Sequence, residues 1–212
     1  MLPQLPAFIM AMALSLAPTL SQGGNAPAPL TPATLAQLAE CKGSADDLVS
    51  YAEMLFGGDP PSWLKEVHSN GHPGMISLWT YQLAQPLDVF GHKTDRISFM
   101  DNWVLIELPR AEAQSVVAQG HMERAPIKTS EQYFHFMNEQ TGPMLGAFAP
   151  TDDALDVAFG APPNADGESK TLFVGCNYSV ASKADFLKGA ARADEAVCKA
   201  GEEIRRMSKG KP

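Results

Sequence analysis

Residues 86–109 read PLDVFGHKTDRISFMDNWVLIELP, and the way this stretch folds back on itself decides the architecture. Apolar and polar residues alternate in short runs, a period of two that belongs to half-buried strands. Three strands are predicted, over 87–90, 94–100 and 103–108. Asp101 and Asn102 both tolerate positive φ and suit a two-residue hairpin turn. That turn sets Phe99 opposite Val104 and Ile97 opposite Ile106, with Arg96 opposite Glu107 on the other face. The turn near His92 admits two registers. A two-residue Gly91-His92 turn would oppose Asp88 and Asp95 on the face carrying Ile97 and Phe99, which is costly. A three-residue loop, Gly91 to Lys93, instead pairs Leu87 with Ile97 and Asp88 with Arg96. The expectation is a charged row, Asp88–Arg96–Glu107, across the outer face of three strands, with His92 at a solvated loop tip.

Outward from this core, Thr31-Pro32 reads as an N-cap with proline at the first helical position, followed by Leu35, Leu38 and Cys41 on one face. Ser44 and Asp47 form a capping box for a second helix to Phe56, with Leu48, Tyr51 (or Ala52) and Leu55 on its apolar side and Gly57-Gly58 at its end. Residues 59–75 are rich in turn signals. Residues 76–83 read as a strand with Trp79, Tyr81 and Leu83 on one face. Pro109 opens a helix carrying Ala113, Val116 and Val117, which Gly120 ends. Residues 133–138 suit a strand, and Thr151 caps a short helix with Asp152 and Asp153 in its first turn. Residues 170–180 form a strand, and Ser182 with Asp185 opens a C-terminal helix. Its stripe is Phe186, Ala190, Ala193, Val197, Ala200 and Ile204. No regular βαβ alternation occurs. The expected fold is α+β: an antiparallel sheet with central hairpins (strands about 76–83, 87–90, 94–100, 103–108 and 170–180) packed by N-terminal and C-terminal helices.

The chain has 212 residues, 45% of them hydrophobic and 19% charged, which fits one globular domain. Its net charge of −8, without a basic patch interleaved with aromatics, argues against nucleic acid as a partner. Phe8 to Ala17 is apolar and too short for a membrane span, and the small residues Ser21, Gly23, Gly24 and Ala26 follow it. Residues 1–23 are therefore expected to be an export signal, although the stretch before Phe8 lacks lysine and arginine. Residues 24–33 would form a flexible leader, 34–207 a single domain and 208–212 a disordered tail. The mature chain would be periplasmic or secreted, with no membrane span. In such an oxidising compartment one disulfide is expected from Cys41, Cys176 and Cys198. Cys41–Cys176 is the preferred pair, because both fall on apolar faces.

Catalytic patterns are sparse. His68 and His72 have metal-ligand spacing, and Asp59 or His92 could complete a loop site, but Ser69-Asn70-Gly71 breaks the helix that would align the imidazoles. Ser62-Trp63-Leu64-Lys65 has S-x-x-K spacing without its partner motifs. Cys176 with His135 could form a thiol dyad only if the thiol stayed reduced. Asp152, Asp153 and Asp156 could bind Ca²⁺, but a helix start explains them more simply. No nucleophile elbow, phosphate loop or dinucleotide fingerprint occurs, and no cofactor is expected. Trp103, Met100 and Leu105 share the outer face of the hairpin, with Phe90 expected one strand away. They are either covered by the chain's own helices or form an aromatic patch for a protein or peptide partner. The expected function is that of an exported, non-catalytic binding or inhibitor-like protein of a bacterial-type cell envelope. The alternative is a small envelope hydrolase or metal-dependent enzyme using the His68/His72 loop.

Overall fold

A computed structural model describes residues 29–58, 60–67, 72, 75, 77–150, 169–179 and 181–209. The expected export signal, the first half of the leader (24–28), the helix opened by Thr151, and Asp59 and His68 lie outside these residues, as does the end of the tail. The fold is α+β, with four helices among the described residues and an eight-stranded antiparallel sheet. The strands are β1 (Leu64–Val67), β2 (Trp79–Val89), β3 (His92–Met100), β4 (Trp103–Pro109), β5 (Glu123–Arg124), β6 (Gln132–Phe136), β7 (Met144–Phe148) and β8 (Thr171–Asn177). The helices are α1 (Pro32–Ala39), α2 (Ala45–Phe56), α3 (Arg110–Gln119) and α4 (Lys183–Lys209). The sheet order is β1-β2-β3-β4-β8-β7-β6-β5. Two meanders, β1–β4 and β5–β8, thus meet along β4 and β8, with pairs from Trp103↔Asn177 to Pro109↔Thr171. Helix α3 carries the chain from this seam to the far edge.

The Asp101-Asn102 hairpin forms as expected, with Phe99 opposite Val104. The preceding turn differs. It consists of Phe90 (φ 55°) and Gly91 (φ 79°), and His92 begins β3 opposite Val89. Left-handed backbone at a non-glycine residue costs about 1–2 kcal/mol. Tertiary contacts offset it here: the Phe90 N–H donates to Glu40 Oε1 at 2.7 Å, and the Phe90 side chain packs on the core. The two predicted strands over 76–83 and 87–90 are one strand, β2, with an irregularity between Gln82 and Leu87. Pro86 falls within that break, where no ladder N–H is required. The expected charged row is consequently not formed. Asp88 lies opposite Lys93 and pairs with it at 3.3 Å, while Arg96 lies opposite Gln82. Glu107 accepts from Thr171 Oγ1 at 2.6 Å instead.

Capping sets the helices on the first face of the sheet. Thr31 and Thr34 cap α1 reciprocally, and Ser44 and Asp47 do the same for α2. Leu35, Leu38, Leu48, Tyr51 and Leu55 then bury against Ile97, Phe99, Val104, Ile106 and Val174, with α3 adding Ala113 and Val116. The second face holds Trp103, Leu105, Phe134, Met144 and Phe173, covered by Met75, Leu78 and Ala125 and by Phe186 and Leu187 of α4. Helix α4 is rotated from its expected stripe. Ala193, Val197 and Ala200 are exposed, while Ala190, Asp194 and Cys198 are half-buried. The cause is a polar clip: Asp194 Oδ1 accepts from Lys128 N (2.8 Å), Thr129 N (2.8 Å) and Thr129 Oγ1 (2.7 Å). Partial burial raises the Asp194 pKa, but these hydrogen bonds outweigh it and hold the carboxyl below its ordinary value.

Cys41 and Cys176 form a disulfide, with Cα atoms 5.1 Å apart, that ties the end of α1 to the central strand β8. Beside it the Tyr178 hydroxyl donates to the Leu38 carbonyl at 2.9 Å, and burial pushes its pKa up to about 12. Cys198 is a free thiol. Titration of the denatured, unreduced protein should find one thiol per chain, rising to three after reduction; three before reduction would contradict the bridge. Cys41→Ala/Cys176→Ala should lower the unfolding free energy in urea by about 2–5 kcal/mol. Asp194→Asn should lower it by about 1 kcal/mol at neutral pH. Because the folded pKa of Asp194 is depressed, its contribution is fully present above the unfolded value and is lost as pH falls through the folded one. The difference between wild type and Asp194→Asn should therefore vanish in acid, and a gap that persists there would contradict the clip.

Candidate binding surface

The aromatic group singled out in the sequence does not make one open surface. Trp103 is 8% exposed and Leu105 0%, and Met100 is partly buried against the same cluster. Phe90 packs on the opposite face of the sheet. The indole of Trp103 lies across β7 because residue 146 is glycine: a Cβ there would sit 2.6 Å from Trp103 Cη2. The ring then meets Phe148 edge-on at 5.3 Å. Trp103 and Leu105 are core.

The candidate chemical groups are likewise engaged. His72 is buried, its Nε2 lies 3.1 Å from Glu107 Oε1, and its ring meets Phe173 edge-on at 5.1 Å. This ties the segment before β2 to the sheet. His92 is not at a solvated tip: its Nδ1 lies 2.9 Å from Glu112 Oε2, joining the β2–β3 turn to α3. Cys176 has no free thiol to share with His135. Ser62 and Lys65 straddle the start of β1, so the S-x-x-K pair does not share a helical turn. Among the described residues no group of three or more His, Cys, Asp or Glu is placed to hold a metal ion. A further network lies at the start of α3: Arg110 Nη2 donates to both Glu131 oxygens (2.7 and 2.9 Å), and the Tyr133 hydroxyl donates to Glu131 Oε1 (2.8 Å). These groups bind α3 to the start of β6.

One group of exposed apolar side chains lies on the first face, at its β1 edge. Leu48, Tyr51 and Leu55 of α2 point into the core, but Val49 and Phe56 lie about a quarter turn away and face solvent, 57% and 49% exposed. Trp79 shares the face of Tyr81 and Leu83 on β2, yet lies beyond the edge of α2 and is 47% exposed. The Phe56 and Trp79 rings touch, with centroids 5.4 Å apart and planes at 70°. Glu53, one helical turn before Phe56, is exposed. Glu66 lies opposite Tyr81 on β1, diagonal to Trp79. Burial, and then the Glu66 charge, raise the Tyr81 hydroxyl above its ordinary pKa. Edge-to-face rings in water leave apolar area that a partner would cover favourably. The signal was in the sequence: Val49 and Phe56 are seven apart and off the line of the buried stripe.

No protein-family model, curated protein or solved structure matches the chain. Among the described residues no helix is long and apolar enough to cross a membrane. The assignment of Trp103 to the core carries a direct test. Trp103→Ala should destabilise by about 3–5 kcal/mol in denaturant unfolding. Gly146→Val should also destabilise, by driving the indole out of its groove. A Trp103→Ala protein of wild-type stability would contradict this placement.

Proposed function

We propose that this chain is an exported, non-catalytic binding protein, periplasmic or secreted, whose contact surface is centred on Phe56 and Trp79. The observation that carries the reading is the touching pair of half-exposed rings at the α2–β2 corner. Aromatic side chains with two rotatable angles supply large contact area at little entropic loss, which is why they anchor interfaces. The surrounding fold is suited to presenting them. Phe56 ends a helix whose other face is in the core, and Trp79 begins a strand paired to β3 from Trp79 onward and to β1 over Thr80 to Leu83. The disulfide supports residence in an oxidising compartment. His72 and Cys176, on which enzyme readings would draw, hold the fold together instead.

The reading is tested by comparing the wild type with Phe56→Ala/Trp79→Ala as immobilised bait in cell-envelope extract. Both side chains are half in water, so the double variant should stay folded and lose only about 1–2 kcal/mol of stability. Proteins retained by the wild type should be lost from the variant. Identical retained sets, from two equally folded baits, would overturn the proposed surface.

A further inference from the structure

The same corner carries a charge pattern that narrows the partner. On α2 the exposed apolar residues Val49 and Phe56 are flanked by Asp46 and Glu53, each one turn before an apolar neighbour, and the helix has no lysine or arginine. Across the rings, Glu66 of β1 projects on the same face as Trp79. Lys65, the nearest base in sequence, belongs to the alternate register of β1 and so to the other face of the sheet. Asp46 and Glu53 make no side-chain ion pair among the described residues. The rings themselves favour a cation, because an aromatic face carries negative potential, and two planes at 70° form a corner that offers a face and an edge together. Acids around such a corner add long-range attraction without occupying it.

Resting on the binding reading above, we infer that the Phe56–Trp79 corner receives a lysine or arginine side chain from a cationic polypeptide segment that also carries aliphatic residues. The cation stacks on the rings, Glu53 and Glu66 flank it, and Val49 covers an aliphatic neighbour. An anionic segment would meet carboxylates on both sides. A purely polar cationic segment would leave Val49 and Phe56 in water.

Three labelled peptides of one repeat pattern, lysine–leucine, serine–leucine and glutamate–leucine, are titrated with the full-length, disulfide-bonded protein, and binding is read by fluorescence anisotropy. The lysine–leucine peptide should bind saturably and more weakly as salt rises. Trp79→Ala and Glu53→Lys/Glu66→Lys should each weaken it by about tenfold. Glu202→Lys/Glu203→Lys, on α4, changes the net charge by the same amount, serves as the control and should have little effect. Equal binding of the serine–leucine or glutamate–leucine peptide that still depends on Trp79 would overturn the cationic partner while leaving the binding surface standing. If Glu202→Lys/Glu203→Lys acts as strongly as Glu53→Lys/Glu66→Lys, the attraction is diffuse and the inference fails. If no peptide binds, or none depends on Trp79, the cationic corner is overturned; the binding reading falls with it only where the extract comparison also shows identical retained sets.

Discussion

The β4–β8 seam is the constraint on which the molecule depends. It is where two four-stranded meanders become one sheet, and everything beyond it hangs on that register. Its close fit is written in glycine. At Gly175 a Cβ would run into the Val104 carbonyl, and at Gly146, one strand further, it would meet the Trp103 ring. The seam also lies on the path of the disulfide, since Cys176 pairs with Val104 across it. Backbone pairing, a bridge to α1 and a tryptophan laid over a neighbouring strand therefore reinforce one another in a small region.

The two faces of the sheet are finished differently. Helices α1 to α3 close the first face through regular apolar stripes. Loop residues and the first turns of α4 close the second, helped by polar ties such as His72–Glu107 and Asp194–Thr129. Most of the ionic chemistry is thus committed to fastening loops and helices. The aromatic corner of Phe56 and Trp79 lies on the first face, and Phe99, in edge-to-face contact with Tyr81, lies opposite Trp79 on the neighbouring strand. Exposed rings held on a packed scaffold favour recognition with little rearrangement.

Much of this was legible in residue patterns, and the failures have identifiable causes. The α+β class, both capping boxes, the Asp101-Asn102 turn and the Cys41–Cys176 pair follow from local chemistry and face assignment. The Phe90-Gly91 turn was not legible, because what stabilises Phe90 in left-handed backbone is Glu40, fifty residues earlier. Strands β1 and β7 were missed for another reason. Leu64–Val67 is too short to show a period, and Met144–Phe148 is nearly all apolar with a central glycine, so neither alternates. The α4 stripe was misjudged because Asp194 faces inward, as no apolar count would anticipate. The candidate surface was overlooked for the converse reason. Trp79 keeps the strand parity of the core residues Tyr81 and Leu83, and only the extent of α2 leaves it uncovered.

The bridge between Cys41 and Cys176 spans 135 positions, so most of the chain forms one covalent ring. Each of its hairpin tips, Phe90-Gly91 and Asp101-Asn102 among them, lies inside that ring. A protease that cut at one such tip would open the ring without releasing either fragment. The clipped molecule would stay a single unit of unchanged mass apart from one added water, and the β4–β8 pairing could persist across the break. Resistance to dispersal after damage is thus a property of where the two sulfurs sit along the polypeptide, separate from any contribution they make to equilibrium stability.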